Sequence, residues 1–540
     1  MNGLRKSLSE AKKPTVLLLA IAIFILSVAL YIAPNQGANK SSSELQSDQL
    51  SKADPKYLEQ LPIQDVGLTS SGRSIFIAFV MLTHVLFANL HLGGSWVAVG
   101  TESVFLVNRA KPGGMRFKRI AKSLTLFNVM LFSAGATFAI AGVLFFIALF
   151  PTFSGYVFHI YWWPLLIEAI TFALEILFLY TYWFAWEKIA PRWHQVLGYA
   201  YAVDVFIQTL MINTIASGML TPGSTTITFS GSSGISLMSF GDYMSWWFNA
   251  TTWPLQMHRL FAAVSFFGFL MAMLAMLHYL DQGSSSSKRY WDWVGSYGIG
   301  IGLFGLLMQP VLGLLYMLGI MNNQPVAFSN IMLGPRAWEM LLMVGLLSAL
   351  ILACISYFID RREHILSLER HKTVRRVFTA ALVLAAVFGL ILVQPAWLGE
   401  TYRFDPGAWV NPMGGMSLKF MSLFGLVAIG GMLVAVDTLI LKSRKESGWG
   451  TLSNGSRNSA MLAGILGMWI VIVMGFVRES ARSPWTIFQI VPVPGGLASP
   501  TPIPLPQIFV IWAVILALTL VIFWYASKVT AYHPEEAESI

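Results

Sequence analysis

Long apolar runs separated by short polar segments make up most of this chain of 540 residues. A helix that crosses the hydrocarbon core of a bilayer needs about 20 mostly apolar residues. The pattern therefore predicts an all-α fold, a polytopic membrane bundle of about twelve transmembrane helices. The predicted spans are 14–33, 74–107, 125–150, 162–187, 195–219, 254–280, 291–319, 336–359, 374–396, 413–441, 459–478 and 507–527.

Lys and Arg residues are unevenly distributed among the loops between these spans. Positive residues favour cytoplasmic loops, and their distribution sets the orientation of a membrane protein. With the N-terminus in the cytoplasm, the cytoplasmic loops hold most of the positive charge, whereas the opposite loops hold little, including Arg403 and Arg482. The alternation agrees with twelve spans and one orientation. The positive loops are 108–124, 188–194, 281–290, 360–373 and 442–458, followed by the tail after 527.

The composition supports a membrane protein and narrows the chemistry. The chain is 56% hydrophobic and 11% charged, against about 25% charged residues in ordinary soluble domains. The net charge of +9 comes from short loops between apolar runs, so we expect contact with lipid and no nucleic-acid partner. The single cysteine, Cys354, excludes a disulfide within the chain and a thiolate-held metal. A redox cofactor would need His, Met or carboxylate ligands.

The first span and the polar segment after it form an N-terminal region, residues 1–73. Four basic residues between positions 5 and 13 precede the span, as they would in a cleaved signal peptide. The apolar stretch is long, however, and no clear Ala-x-Ala cleavage site follows it. We expect an uncleaved anchor followed by a solvated periplasmic linker, 36–72.

Ionisable side chains inside predicted spans are costly and usually functional. His84 and His91 are seven residues apart and share a helix face, and Glu168 and Glu175 repeat this spacing in another helix. Hydrogen bonding between helices is the alternative to ligation for the histidines. The paired glutamates indicate proton handling or a cation site, with structural acids lining a cavity as the alternative.

Several candidate ligands fall at one depth, toward the outer ends of their spans. His, Met and carboxylate are iron-ligand types, and a His/Met pair holds a six-coordinate haem that transfers electrons. A single axial His or Glu leaves the iron open to a gas, and nearby Arg or Lys would neutralise haem propionates. A haem cluster in the outer half of the bundle is therefore the leading hypothesis. The candidates are His84, Glu168, His258, Met421 and Glu479.

Other candidates have simpler interpretations. Glu479, between Arg478 and Arg482, could belong to a charged collar where a helix leaves the bilayer. A methionine such as Met421 is usually core packing when no other evidence accompanies it. Asp204 and Asp437 lie nearer the inner side and could cap helices or snorkel. Five histidines in or near loops are expected to be solvated: His159, His194, His278, His364 and His371.

Five sequence segments occur in an order that resembles subunit I of the cytochrome bd oxidases. The resemblance covers about residues 74–280 and 413–527, and each motif is weak by itself. It implies a division into haem-binding helices at 74–290, helices at 291–412 in place of the family's long hydrophilic quinol loop, and C-terminal haem-binding helices at 413–540. The segments are THVLFANLHLGGSW, LLIEAITFALEILFLYTYWFAWEKI, QMHRLFAAVSFFGF, LKFMSLFG and RESARSPW.

The resemblance also implies the roles of individual residues. His258 and Met421 would be the axial ligands of a low-spin haem b. His84 and Glu479 would each ligate one of two high-spin haems, a haem b and a second haem of type d or b. Glu168 and Glu175 match the paired acids implicated in proton delivery, and with Glu479 they form the catalytic set. The other predicted cofactor-binding residues are Lys419, where the family usually has Arg, and Arg259, Arg482 and Trp485.

The function implied is that of a terminal oxidase in a bacterial or archaeal cytoplasmic membrane, reducing O2 to water. The resemblance implies a second membrane subunit and an electron donor, either a quinol or a c-type cytochrome. Because no long quinol loop is visible, a haem b electron-transfer subunit that does not reduce oxygen is an alternative. A proton-coupled transporter is a further alternative, but no inverted repeat or matched pair of broken helices supports it.

Overall fold

A computed structural model describes the chain over residues 70–223, 227–229, 235–237, 240–333, 337–366, 372–393, 421–432, 435, 449–483, 485–488, 491–492 and 505–531. The predicted first span, Lys419 and most of the predicted span 413–441 lie outside these residues. The described part is overwhelmingly helical, which confirms the all-α prediction, and its four strands are each two or three residues long.

Helices follow one another along the chain with short connections. In chain order they are α1 Ser70–Asn108, α2 Met115–Leu149, α3 Pro151–Ile160, α4 Trp162–Phe184, α5 Pro191–Leu220, α6 Phe240–Trp247, α7 Thr252–Asp281, α8 Ser285–Asn323, α9 Pro325–Leu333, α10 Ala337–Leu366, α11 Lys372–Val393, α12 Asn454–Arg482 and α13 Leu505–Thr530. The strands form two antiparallel hairpins, β1 Ile227–Phe229 with β2 Ile235–Leu237, and β3 Trp485–Ile487 with β4 Val491–Pro492.

Nine helices within the described residues are long and apolar enough to cross a membrane. Each coincides with a predicted span, and shorter apolar helices at Thr379–Ile391 and Met421–Met432 fall within two more. The largest boundary difference concerns α2, which begins at Met115 rather than at 125. Its first turns carry basic residues, but Ile120 and Leu124 are buried. The helix therefore begins before the apolar run that predicted it.

Close packing between α7 and α8 depends on glycine. A Cβ added to Gly268 of α7 would lie 2.3 Å from the backbone nitrogen of Gly302 and 2.7 Å from the carbonyl oxygen of Gly298, both on α8. Gly298 and Gly302 are four residues apart and so face α7 together. Small residues at this spacing let helix backbones approach closely within a membrane. Helix α7, which carries His258, is thereby held at the centre of the bundle.

A buried ion pair joins α8 to α10 at the end of the bundle predicted to be cytoplasmic. Nη1 of Arg361 donates to Oδ1 of Asp292 at 2.5 Å and to the Tyr357 hydroxyl at 2.8 Å. The second Asp292 oxygen accepts from the Gly450 backbone nitrogen at 2.8 Å. Both charged side chains are buried. The segment before α12 and helix α10 are therefore packed together with α8.

The opposite end is closed by β3 and a network of hydroxyl and amide groups. The backbone nitrogen of Phe488, the residue after β3, donates to the Met219 carbonyl at 2.9 Å and joins this segment to the end of α5. Nearby, Asn249 Oδ1 accepts from the Thr221 hydroxyl at 3.0 Å and the Thr251 hydroxyl at 2.9 Å. These polar groups are buried and form hydrogen bonds with one another. The network therefore holds the ends of α5 and α7 together.

Candidate functional site

His84 on α1 has a ring orientation fixed by a backbone contact. Its Nδ1 atom lies 3.2 Å from the carbonyl oxygen of Gly135 on α2. Because a carbonyl can only accept, Nδ1 carries the proton, and the lone pair is on Nε2. A hydrogen bond of this kind is the usual support behind a metal-ligating histidine.

His258 on α7 is packed against α8. Its ring is stacked near Tyr316, with 6.4 Å between ring centroids, and lies beside Gly313. The Nδ1 atom of His258 is buried and has no hydrogen-bond partner among the described residues. A buried polar atom without a partner is costly, so its presence needs an explanation.

Arg259 follows His258 directly and is held only by amide oxygens in its described contacts. Its Nε donates to Asn89 Oδ1 at 3.1 Å and its Nη1 donates to Asn213 Oδ1 at 2.8 Å. The Asn213 amide in turn donates to Gln256 Oε1. Neutral amides orient the guanidinium without cancelling its charge. Arg259 also lies close enough to His84 and Arg478 to interact with them electrostatically.

The end of α12 brings two more arginines and one carboxylate to the same place. Arg482 Nη2 donates to Glu479 Oε2 at 2.6 Å, and Arg478 interacts electrostatically with both residues. The phenols of Tyr161 and Tyr316 interact with Arg478 as well. The Tyr161 hydroxyl is buried and has no hydrogen-bond partner among the described residues.

Three arginines and one glutamate therefore lie near the two histidines at this end of the bundle. The excess of positive charge in a largely buried setting favours an anionic ligand. The set comprises His84, His258, Arg259, Arg478, Glu479 and Arg482, which we call the outer cluster.

Two of the remaining predicted cofactor residues are described, and they differ in burial. Trp485 lies in β3, is 5% exposed and packs in the main core. Met421 begins the described helix 421–432 and is 70% exposed. Gly430, farther along this helix, lies beside Leu303 of α8. The ligation predicted for Met421 stays a prediction, and Lys419 lies outside the described residues.

The paired glutamates occupy different environments. Glu175 is 1% exposed and contacts Nε2 of His91, which also lies 2.9 Å from the Tyr201 hydroxyl. Glu168 is only partly buried, two turns away on α4, and interacts electrostatically with Glu175. Asp204 is 5% exposed, lies inside α5 and also interacts with Glu175, so it neither caps the helix nor snorkels to the membrane surface. These acids lie along α4 and α5, apart from the outer cluster.

Two of the histidines expected to be solvated are buried. His194 is 3% exposed: its Nδ1 lies 2.7 Å from Glu102 Oε1 and its Nε2 lies 3.0 Å from the Tyr182 carbonyl. His278 is 4% exposed and stacks on Trp291, with 4.3 Å between ring centroids. Both predictions were wrong because neighbouring helices cover the ends of α5 and α7. The side chains of His159, His364 and His371 lie outside the described residues.

Glu102 is a buried acid that the sequence interpretation overlooked. It is 2% exposed and accepts a hydrogen bond from the Tyr182 hydroxyl at 2.6 Å in addition to its contact with His194. It lies near the inner end of the predicted span 74–107, and no role was predicted for it. The sequence did contain a signal for its burial: a single acidic residue within an otherwise apolar helix requires a polar partner.

The outer cluster fits a haem on two observations. His258 has a buried ring nitrogen without a described partner, and the tautomer of His84 leaves Nε2 with its lone pair. Each imidazole could therefore supply a nitrogen ligand to haem iron. The buried arginines fit the carboxylates that a haem carries on its edge. Glu479 is 38% exposed, and its Oε2 atom accepts a hydrogen bond of 2.6 Å from Arg482.

Comparisons with known proteins identify the family that this chain resembles. Residues 73–333 match the family model described as cytochrome bd terminal oxidase subunit I. A solved structure of the bd oxidase from Geobacillus thermodenitrificans is similar in fold, with a TM-score of 0.50 and 14% sequence identity, covering 86% of this chain and 98% of that chain. At this identity the structural likeness concerns the fold alone. No curated protein matches the sequence.

Proposed function

We propose that this chain, which belongs over residues 73–333 to the cytochrome bd terminal oxidase subunit I family, carries electrons through a low-spin haem b to a high-spin haem pair that reduces O2 to water. Family membership makes it an oxidoreductase of respiratory membranes that uses haem. The observation that carries the finer proposal is the outer cluster, in which two histidines suited to ligate iron lie beside three arginines.

The two histidines and the glutamate of the outer cluster, together with Met421, would ligate haem iron in this proposal. His258 and Met421 would hold the low-spin haem, and His84 and Glu479 would each hold one high-spin haem, of which one is a haem b and the other a haem d or b. When bound, the haems supply electron transfer and the binding of oxygen. The protein orients His84 through the Gly135 carbonyl and Glu479 through Arg482.

Positive side chains have a second task at this site. Arg259, Arg478 and Arg482, with Lys419 from the segment before Met421, would neutralise haem propionates. The amide oxygens of Asn89 and Asn213 orient Arg259 without removing its charge. Trp485 packs behind the end of α12 and limits the access of water there.

Oxygen reduction consumes protons, which must reach a site far from the cytoplasm. Glu168 and Glu175, with Asp204 beside them, provide carboxyl groups along α4 and α5 for this purpose. Buried carboxyl groups in a membrane bundle are typical of proton pathways. Uptake from the cytoplasm combined with electron entry near the outer face would generate a membrane potential.

The proposal includes a partner, an electron donor and an orientation. We infer a second membrane subunit, a quinol or c-type cytochrome as donor, and a cytoplasmic N-terminus in the inner membrane of a bacterium or archaeon. The distribution of Lys and Arg among the loops supports the orientation. The second subunit and the donor rest on the family relationship.

Absorption spectra of the purified protein test the haem assignment. Dithionite-reduced minus oxidised spectra and CO-difference spectra should show low-spin and high-spin haem. His258→Ala should remove the low-spin bands, whereas His278→Ala, at the other end of the same helix, should retain them. The absence of haem from the wild-type protein, or an unchanged spectrum in His258→Ala, would contradict the proposal.

A second candidate function is electron transfer without oxygen reduction. The observation that favours it is the pair of helices α10 and α11, which lie where the family usually has a hydrophilic quinol loop. An oxygen electrode separates the two functions, with a quinol or reduced cytochrome c as donor. Haem bands without oxygen consumption from either donor would favour the second candidate.

A further inference from the structure

Two buried clusters of the same composition lie one above the other between α1, α4 and α5. Each cluster takes one residue from each helix, and each contains one glutamate, one histidine and one tyrosine. The lower cluster, nearer the 109–114 and 185–190 connections, is Glu102, Tyr182 and His194. The upper cluster is His91, Glu175 and Tyr201.

The spacing along each helix places the two clusters on shared helix faces. Glu175 and Tyr182 are seven residues apart on α4, and His194 and Tyr201 are seven apart on α5. Seven residues of α-helix are two turns, about 10 Å along the axis. The Tyr182 and Tyr201 rings stack between the clusters, with 6.2 Å between centroids. The clusters are therefore two levels of one column.

The lower cluster is built to hold an exchangeable proton. The Tyr182 carbonyl lies 3.0 Å from Nε2 of His194 and can only accept, so Nε2 carries a proton. The 2.7 Å contact between Nδ1 and Glu102 then requires one further proton, which is on either the imidazole or the carboxyl group. The Tyr182 hydroxyl donates to the second Glu102 oxygen at 2.6 Å.

The upper cluster can receive that proton and pass it onward. Nε2 of His91 contacts both Glu175 and the Tyr201 hydroxyl, and its Nδ1 is buried without a partner among the described residues. Glu175 interacts electrostatically with Glu168, two turns farther along α4 toward the outer cluster. All six side chains of the column are at least nine-tenths buried.

We propose that this column carries protons from the inner side of the membrane to Glu175 and Glu168. A proton enters at the His194–Glu102 pair. The Tyr182 hydroxyl accepts it from Glu102 and releases its own proton to the Tyr201 hydroxyl, which in turn releases one to Nε2 of His91, and His91 protonates Glu175. The lower pair is then reloaded from the inner side. Each step transfers one proton between oxygen and nitrogen atoms and breaks no other bond. As a supply for oxygen reduction, the column rests on the proposed function.

Proton uptake on chemical reduction of the haems tests the column in the purified protein. A pH-indicator dye in weakly buffered solution should report uptake that is slower by about 100-fold in Glu102→Gln, because a positioned proton donor is lost. The control is Glu187→Gln, which removes an exposed acid in the adjacent 185–190 connection. The hydrogen bond from Lys118 holds the Glu187 pKa below its ordinary value. Glu187→Gln should take up protons at the wild-type rate.

A milder variant and a measurement that needs no haem complete the test. Tyr201→Phe removes one oxygen atom and preserves the ring, so it should fold and still slow uptake. Infrared-detected exchange of buried carboxyl protons for deuterium should be slower at Glu175 in both Glu102→Gln and Tyr201→Phe. If both variants exchanged the Glu175 proton and took up protons at the wild-type rates, the proposal that the column carries protons would be wrong. A wild-type protein without haem would overturn the proposed function, and the exchange rates would still decide the column.

Discussion

The Nη2 atom of Arg482 lies 2.6 Å from Oε2 of Glu479, one turn earlier on α12. The arginine side chain is 12% exposed and the glutamate 38% exposed, so the guanidinium lies deeper than the carboxylate that it holds. A guanidinium that donates to one carboxylate oxygen attracts the carboxylate's charge and also fixes its orientation. The end of α12 therefore presents a carboxylate whose orientation is set by Arg482.

Replacing Arg482 should affect haem content before it affects the fold. Arg482→Gln removes the charge that orients Glu479, so we expect less high-spin haem per chain, measured as the pyridine haemochrome and the CO-difference spectrum. Arg482→Lys keeps the positive charge but lacks the planar guanidinium with its several donors, and should give an intermediate haem content. A wild-type haem content in Arg482→Gln would show that the pair is only structural.

Arg259 should influence the potential of the neighbouring haem. Reduction adds a negative charge, which a buried cation stabilises, so Arg259→Gln should lower the midpoint potential in a redox titration. Arg116→Gln serves as the control, because Arg116 lies at the other end of the bundle over Trp293. An equal shift in both variants, or no shift in Arg259→Gln, would contradict a local effect.

The α7–α8 contact should not tolerate a methyl group at Gly268. The added Cβ would meet backbone atoms of α8 that cannot move aside, so Gly268→Ala should destabilise the protein by about 1–3 kcal/mol. At Gly300 nothing lies within 4 Å of the added atom, and Gly300→Ala should be neutral or stabilising by up to about 1 kcal/mol. Thermal unfolding in detergent distinguishes the two, and equal melting temperatures would refute the packing argument.

The Asp292–Arg361 pair should matter far more to stability than an exposed pair. Asp292→Asn leaves a buried guanidinium without its counter-charge, and we expect a loss of about 3–5 kcal/mol. The Lys528–Asp281 pair is almost half exposed on both sides, so Lys528→Gln should cost about 1 kcal/mol or less. Chemical unfolding in detergent provides the comparison. If the two variants lost similar amounts of unfolding free energy, burial would not determine how much an ion pair contributes to stability.

Much of the architecture could be predicted from local pattern alone. Span positions follow from the length of apolar runs, because the bilayer sets a minimum helix length, and nine of the predicted spans coincide with described helices of membrane-crossing character. The residue types of the outer cluster could also be predicted, since a charge or imidazole in such a run is conspicuous. The ligand roles of His84, His258, Met421 and Glu479 stay predictions.

Partners across long sequence separations could not be predicted in this way. His194 appeared solvated because it begins a helix next to a loop, yet Glu102, 92 residues earlier, and Tyr182 enclose it. The burial of a side chain at a helix end depends on which helices pack beside it, and no local pattern specifies that. The amide oxygens around Arg259 come from α1 and α5 for the same reason.

By itself, the sequence determined that the chain crosses a membrane many times and which side chains are too polar for lipid, because both depend on the cost of transferring each segment from water. Only the tertiary structure decided which of those side chains meet, because their contacts join helices that are distant along the chain. The two Glu–His–Tyr clusters came from that packing.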